Sequence, residues 1–241
     1  MRTLLFLLAG LCFLMPAACD DSSTTNNQTQ TYTVSGVLYD ATGDVPLTNA
    51  EVTLTVGDTV LTAYTYDGGD GSYTFEGVPQ LGLAYLSYEH HSHIIADHTM
   101  NLDGYLQARS TQVQLPAVWL PSASGRFRFQ LLDSGGEPVT QTTLSLTMES
   151  SWLTEDASGV LIPMGELVSL STTNNLGIAE FIDLPVPGPV GAEYLDTVSV
   201  HIPALDLDDD GVAEYEAATM EYDAQTSPED TEILTLAPPA K

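Results

Sequence analysis

One short pattern occurs twice in this chain at identical spacing. Gly71, Tyr73, Phe75, Val78 and Pro79 correspond to Gly177, Ala179, Phe181, Leu184 and Pro185. In each copy a glycine opens a strand, residues two apart point to one face, and a proline closes the run. Around the first copy, Gly68, Gly69 and Gly71 permit the positive φ of a tight connection. The flanking sequence obeys the same period: Ala50, Val52, Leu54 and Val56 alternate with polar residues, as a half-buried strand requires. Tyr32–Tyr39, Val60–Tyr66, Ser72–Glu76, Leu81–Glu89 and Thr111–Val118 read as further strands, and Asp40 to Gly43 as a turn. No apolar repeat of helical period persists anywhere. The expected fold is all-β, a sandwich of short strands joined by Gly and Pro turns.

The duplication extends beyond the opening pattern. Asp133-Ser134-Gly135-Gly136 echoes Asp40-Ala41-Thr42-Gly43, and the residues 4, 6 and 8 places beyond Pro46 and Pro138 are Ala50, Val52, Leu54 and Thr142, Leu144, Leu146. Thr111 to Leu115 is matched by Thr231 to Leu236. The sequence therefore predicts two seven-stranded sandwiches in tandem, 32–121 and 122–241, each long enough to bury its own core. The copies differ chiefly between Leu146 and Gly177, a span 14 residues longer than that from Leu54 to Gly71. The excess, near 150–166, holds Trp152, Glu155, Asp156 and the start of a hairpin from Val160 to Leu170. Insertions of this kind sit on surface loops and carry specificity. Trp152 is accordingly a candidate platform for stacking on a sugar ring, although packing in a core or interface is the commoner role for a Trp.

The order of these signals resembles the carboxypeptidase regulatory-like family, a prealbumin-type (transthyretin-like) sandwich. Gly36-Val37, Asp40, Gly43, Pro46-Leu47, Ala50, Val52, Asp70-Gly71, Tyr73, Phe75 and Val78-Pro79 carry the resemblance, which covers about residues 32 to 121. These are turn and core positions. The resemblance implies a fold and a spacer, accessory or interaction role, and it names no activity.

The N-terminus has a different character. Arg2 supplies a positive start, Leu4 to Met15 an apolar run, and Pro16-Ala17-Ala18 a short segment before Cys19. The run is shorter than the ~20 residues of a membrane-spanning helix and has the form of a secretory signal. A Cys at this point resembles the bacterial lipoprotein signal, with Pro16 standing where an aliphatic residue is usual. It implies a signal peptide over 1–18, lipidation at Cys19, a membrane anchor, and a place in the bacterial cell envelope on the outer or a periplasm-facing membrane. Simple secretion with a leftover thiol is the alternative. Asp20 to Thr31 is polar and cannot bury a core, so 19–31 reads as a tether. With Cys12 removed and Cys19 acylated, no thiol chemistry remains.

Past the signal, Arg109, Arg126, Arg128 and Lys241 are the only Lys or Arg, against 33 acidic residues in the whole chain. A surface so negative repels phosphate backbones and excludes nucleic acid as a partner. It suits solubility in salty water, or divalent cations. Asp206, Asp208 and Asp210, followed by Gly211, the Val212 carbonyl and Glu214, have the spacing of an oxygen cage for Ca²⁺. Ala217 stands where an EF-hand needs a bidentate Glu, so the loop resembles instead the calcium loops of β-hairpins. A solvated acidic turn is the competing reading.

Four of five histidines fall within nine residues, His90 to His98. If the strand from Leu81 continues, Glu89, His91 and His93 share a face, and with His98 they form a candidate site for Zn²⁺ or Cu²⁺. Intradiol ring-cleaving dioxygenases bind iron through two Tyr and a His-x-His on a related sandwich, but here Tyr85 and Tyr88 lie too close to the histidines and the rest of that pattern is missing. Hydrophilic histidines on a loop or edge strand are the other reading. No Gly-x-Ser-x-Gly elbow, phosphate-cradling loop or positioned nucleophile is present. The expectation is a non-enzymatic, lipid-anchored β-sandwich module with a structural calcium loop and an unknown protein or carbohydrate partner. A ligand-binding role through Trp152 or the histidines is the alternative.

Overall fold

The computed structural model describes residues 30–41, 43, 45–66, 69–186, 197–206, 211–213, 215–223 and 231–235. The first half is built from β1 (Tyr32–Asp40), β2 (Val45–Pro46), β3 (Glu51–Val56), β4 (Thr59–Tyr64), β5 (Ser72–Val78), β6 (Leu83–Glu89), β7 (Ala96–Asn101), β8 (Gln112–Gln114) and β9 (Val118–Leu120). The second half holds β10 (Ser122–Leu132), β11 (Thr143–Glu155), β12 (Leu161–Thr172), β13 (Ile178–Val186), β14 (Thr197–Ile202), β15 (Ala218–Asp223) and β16 (Thr231–Thr235). A single 3-10 turn, Leu102–Tyr105, is the only helical element among the described residues.

Seven strands of the first half have counterparts in the second; β2 and β9 have no matching strand among the described residues. In the first, β1 pairs antiparallel with β5 and parallel with β8, and β4-β3-β6-β7 form the opposing sheet. In the second, β10 pairs antiparallel with β13 and parallel with β16, while β12, β14 and β15 assemble around β11. Alternation drives the layering: Val52, Leu54 and Val56 of β3 point into a core shared with Val34, Tyr73, Phe75, Leu86 and Tyr88. Phe127, Phe129, Leu144, Leu146, Phe181 and Val200 form the equivalent core of the second half.

Hydrogen bonds repeat as well. The Gly71 and Gly177 carbonyls accept from Leu38 N at 3.0 Å and Leu131 N at 2.8 Å. Both glycines have positive φ, and a Cβ at either would come within 2.5 Å of the Leu38 or Leu131 carbonyl oxygen. Only glycine meets both demands. Buried Thr65 and Thr173 each accept, through Oγ1, from a backbone N–H (Ala50 and Thr142) at 2.9 Å. One substitution is compensated across the strand pair. Gly36 lies opposite Tyr73 in the first half, whereas Phe129 lies opposite Ala179 in the second. The large residue has changed strands and the filled volume is kept.

The insertion departs from expectation. It lengthens β11 and β12 into a hairpin that leaves its own sandwich; the hairpin expected from Val160 to Leu170 does not form, because that stretch is the strand β12 and the turn lies at Asp156 to Gly159. A register shift between Glu149 and Trp152 bends the β11–β12 hairpin, and Gly165, at φ 79°, lies against the Trp152 ring. Beyond the bend, Leu153 and Thr154 pair with Trp119 and Val118 of β9, which itself pairs with β1. One hydrogen-bonded path, β15-β14-β11-β9-β1-β2, therefore runs through both halves. β7 was not expected from the sequence, which offers only Ala96, His98 and Met100 on its inward face.

Candidate functional site

The residues with the most chemistry gather where the halves meet. β6 ends at Glu89 and the chain turns at once, with His93 N donating to the His90 carbonyl at 3.1 Å. The turn is stitched to the start of β10: Ile94 N donates to Pro121 O at 3.1 Å and Ala123 N to Ser92 O at 2.9 Å. The expected continuation of the strand, with Glu89, His91 and His93 on one face, does not form, because these backbone groups bond to the crossing segment. The turn instead brings His90 Nδ1 within 2.8 Å of His93 Nδ1, with Ser92 Oγ 3.2 Å and 3.1 Å from the same two atoms. His93 is buried, and its Nε2 lies 3.0 Å from Asp40 Oδ2, an ion-pair distance without hydrogen-bond alignment. Burial, then the neighbouring His93 and His91, hold the His90 pKa below its ordinary value. A groove of about 470 Å³ opens beside this turn, lined by His90, His91 and Ile95 from the first half and Leu167 and Asp183 from the second. Asp183 takes φ 57° at the position of Gly77 in the first half.

His98 does not join His91 and His93. It sits on β7 opposite Leu86, its ring stacked on Tyr88 at 5.8 Å and set 5.1 Å from the Trp152 indole. The strand directs it inward, while His91 lies exposed in the turn beyond the strand end, so the expected transition-metal set is dispersed. Among the described residues no three His, Cys, Asp or Glu side chains converge on one ion. Trp152 takes the packing role of its two readings and not the sugar platform. Only 2% exposed, it is packed into the core of the first half, so its faces are unavailable to a sugar. Ser151 to Thr154 are four consecutive buried residues, so no alternation marks the strand in the sequence. A strand buried on both faces loses its alternation.

In the acidic loop, Asp206 Oδ2 accepts from Gly211 N at 2.7 Å and Gly211 has φ 86°. Leu205 and Tyr215 exchange backbone hydrogen bonds at 3.0 Å and 3.2 Å, closing the loop between β14 and β15. Val212 is exposed. Asp208, Asp210 and Glu214 lie outside the described residues, as do Cys19 and the signal segment.

No protein-family model matches the sequence, and no curated protein matches it at a significant level. Solved structures similar to the chain include several pilins. A streptococcal ancillary pilin is 14% identical over 89% of this chain and 64% of its own, with a TM-score of 0.38, so this chain spans less than two thirds of that protein's length. The shaft pilin SpaA from Lactobacillus rhamnosus GG is 13% identical over 88% of this chain and 99% of its own, with a TM-score of 0.33. GBS52, the minor pilin of Streptococcus agalactiae, is 11% identical over 88% and 98%, with a TM-score of 0.35. The functional reading rests on this chain's own geometry.

Proposed function

We propose that this chain is a non-catalytic module of the bacterial cell envelope. A lipid on Cys19 holds it to the membrane, the tether at 19–31 keeps it clear of the surface, and two prealbumin-like sandwiches of the carboxypeptidase regulatory-like kind act as a stiff spacer or docking unit for a protein partner. The observation that carries this reading is the clamp between the halves. Trp152, from the second half, fills the first core, and Thr154 Oγ1 donates to the Ala117 carbonyl at 2.9 Å. A hinge motion would break the β9–β11 pairing and expose an indole, so the geometry suits a part that transmits position rather than one that closes on a substrate. The turn closed by Asp206 supports a structural Ca²⁺ in the acidic loop, which would stiffen the β14–β15 connection.

Lipid attachment is tested by metabolic labelling with a fatty acid and by fractionation. Cys19→Ala is expected to abolish labelling and move the protein from membrane to soluble fractions. Labelling undiminished in that variant would overturn the anchor.

A further inference from the structure

A second cavity, of about 300 Å³, lies between β7 and the tip of the hairpin. Its wall combines His98 and Met100 of β7 with Met164 of β12. His98 and Met100, two apart, share the half-buried face of their strand. Met164 is paired directly with Trp152 across the hairpin, and the Trp152 ring is 5.1 Å from that of His98. The clamp therefore brings an imidazole, two thioethers and an indole to one place.

The imidazole is in an unusual condition. Both its nitrogens are buried, and neither has a hydrogen-bond partner. A buried polar group in this state calls for an explanation, and its neighbours Tyr88, Trp152, Met100 and Met164 offer weak acceptors and soft donors. A neutral imidazole carries a nitrogen lone pair that can bind a metal. Nitrogen and sulfur ligands of one ion lie ~2.0 and ~2.3 Å from it, hence ~3.5 Å from each other. That separation is within reach of side chains that line one cavity. Imidazole with thioethers selects a soft, closed-shell cation over Ca²⁺ or Mg²⁺, and an indole beside the ligands can cover the charge. Glu155 and Asp156 also line the cavity and favour cation entry, although Asp156 Oδ1 already accepts from Ser158 N and Val160 N.

We propose that His98, Met100 and Met164 form a binding site for a soft monovalent cation of the copper(I) class, covered by Trp152. The site is independent of the anchor and of the calcium loop.

Silver(I), which has the same closed shell and does not change oxidation state, is titrated into purified protein whose cysteines have been alkylated. Tryptophan fluorescence and melting temperature are followed. One equivalent should quench Trp152 and raise the melting temperature, because the ion binds the folded state. Met100→Leu and Met164→Leu conserve volume and packing, and each should weaken binding by about tenfold or more. His98→Phe should abolish it, while in the absence of metal that variant melts no lower than the wild type, since it removes two unpaired buried nitrogens. The double change His90→Ala with His91→Ala should leave binding intact. The proposal is overturned by absence of stoichiometric binding, by unchanged affinity in both leucine variants, or by loss of binding on removal of His90 and His91.

Discussion

At the scale of single residues, the two halves solve one packing problem in two ways. A Cβ on Gly36 would meet the Tyr73 hydroxyl at 2.3 Å, so the glycine exists to admit the ring across the strand pair. In the second half Phe129 occupies the matching place and Ala179 makes the room. Gly36→Phe alone should therefore overpack the first core, at a cost of about 1–3 kcal/mol or more. Combined with Tyr73→Ala it should recover most of that loss, giving a favourable coupling of ~0.5–3 kcal/mol in a double-mutant cycle read by urea unfolding. Additive effects would show that the strand pairing in the repeat is misaligned. The repeat itself was legible in the sequence because Gly71 and Gly177 answer a backbone demand that only one residue type meets. The exchange of Tyr73 for Ala179 was not legible as compensation, since it depends on which residue faces which across a sheet. Trp152 was left open between a sugar platform and packing for a related reason: a tryptophan's residue type gives its area and not its destination.

At the scale of elements, the hairpin β11–β12 and the acidic loop show where sequence reasoning ends. The extra length was visible, but the hairpin expected from Val160 to Leu170 is a single strand there, β12, and the turn precedes it. The docking of the β11–β12 hairpin on β9 was not visible, because β9 is only three residues long and its partners lie in the other half. β7 escaped notice because its outward residues are polar and its inward ones include a histidine. The acidic loop stands out in the sequence by its spacing, and its calcium is a prediction. If its carboxylates gather around Ca²⁺, binding stabilises the fold by RT ln(1 + [L]/Kd), about 2.7 kcal/mol when calcium is at 100 times Kd. Calcium should raise the melting temperature relative to chelator, and Asp206→Ala, Asp208→Ala or Asp210→Ala should each remove that rise. His91→Ala should leave it in place. Identical melting curves in calcium and chelator would return the loop to a solvated turn closed by the Asp206–Gly211 hydrogen bond.

At the scale of the whole molecule, the two halves are coupled. Each half has its own buried cluster, and a third, small one of Ala41, Trp119 and Leu153 spans the junction, with Tyr39 stacked on Trp119 at 5.3 Å. Because Trp152 belongs to the first core, that core is incomplete without the second half. A fragment ending at residue 121 retains every strand from β1 to β9, so it should fold, but with a void where the indole was. Truncating a buried Trp typically costs about 3–5 kcal/mol, and a domain of this size holds only about 5–15 kcal/mol in all. The fragment should therefore melt well below the intact chain. The same logic applies within the full chain, where Trp152→Ala removes the indole and leaves both halves present. The intact protein should unfold in one calorimetric transition, with the clamp passing stability between halves, and Trp152→Ala should split it, the lower transition matching that of the fragment. Two transitions in the wild type, one of them already coinciding with the fragment, would mean that the halves unfold independently and that the hairpin contributes contact without coupling.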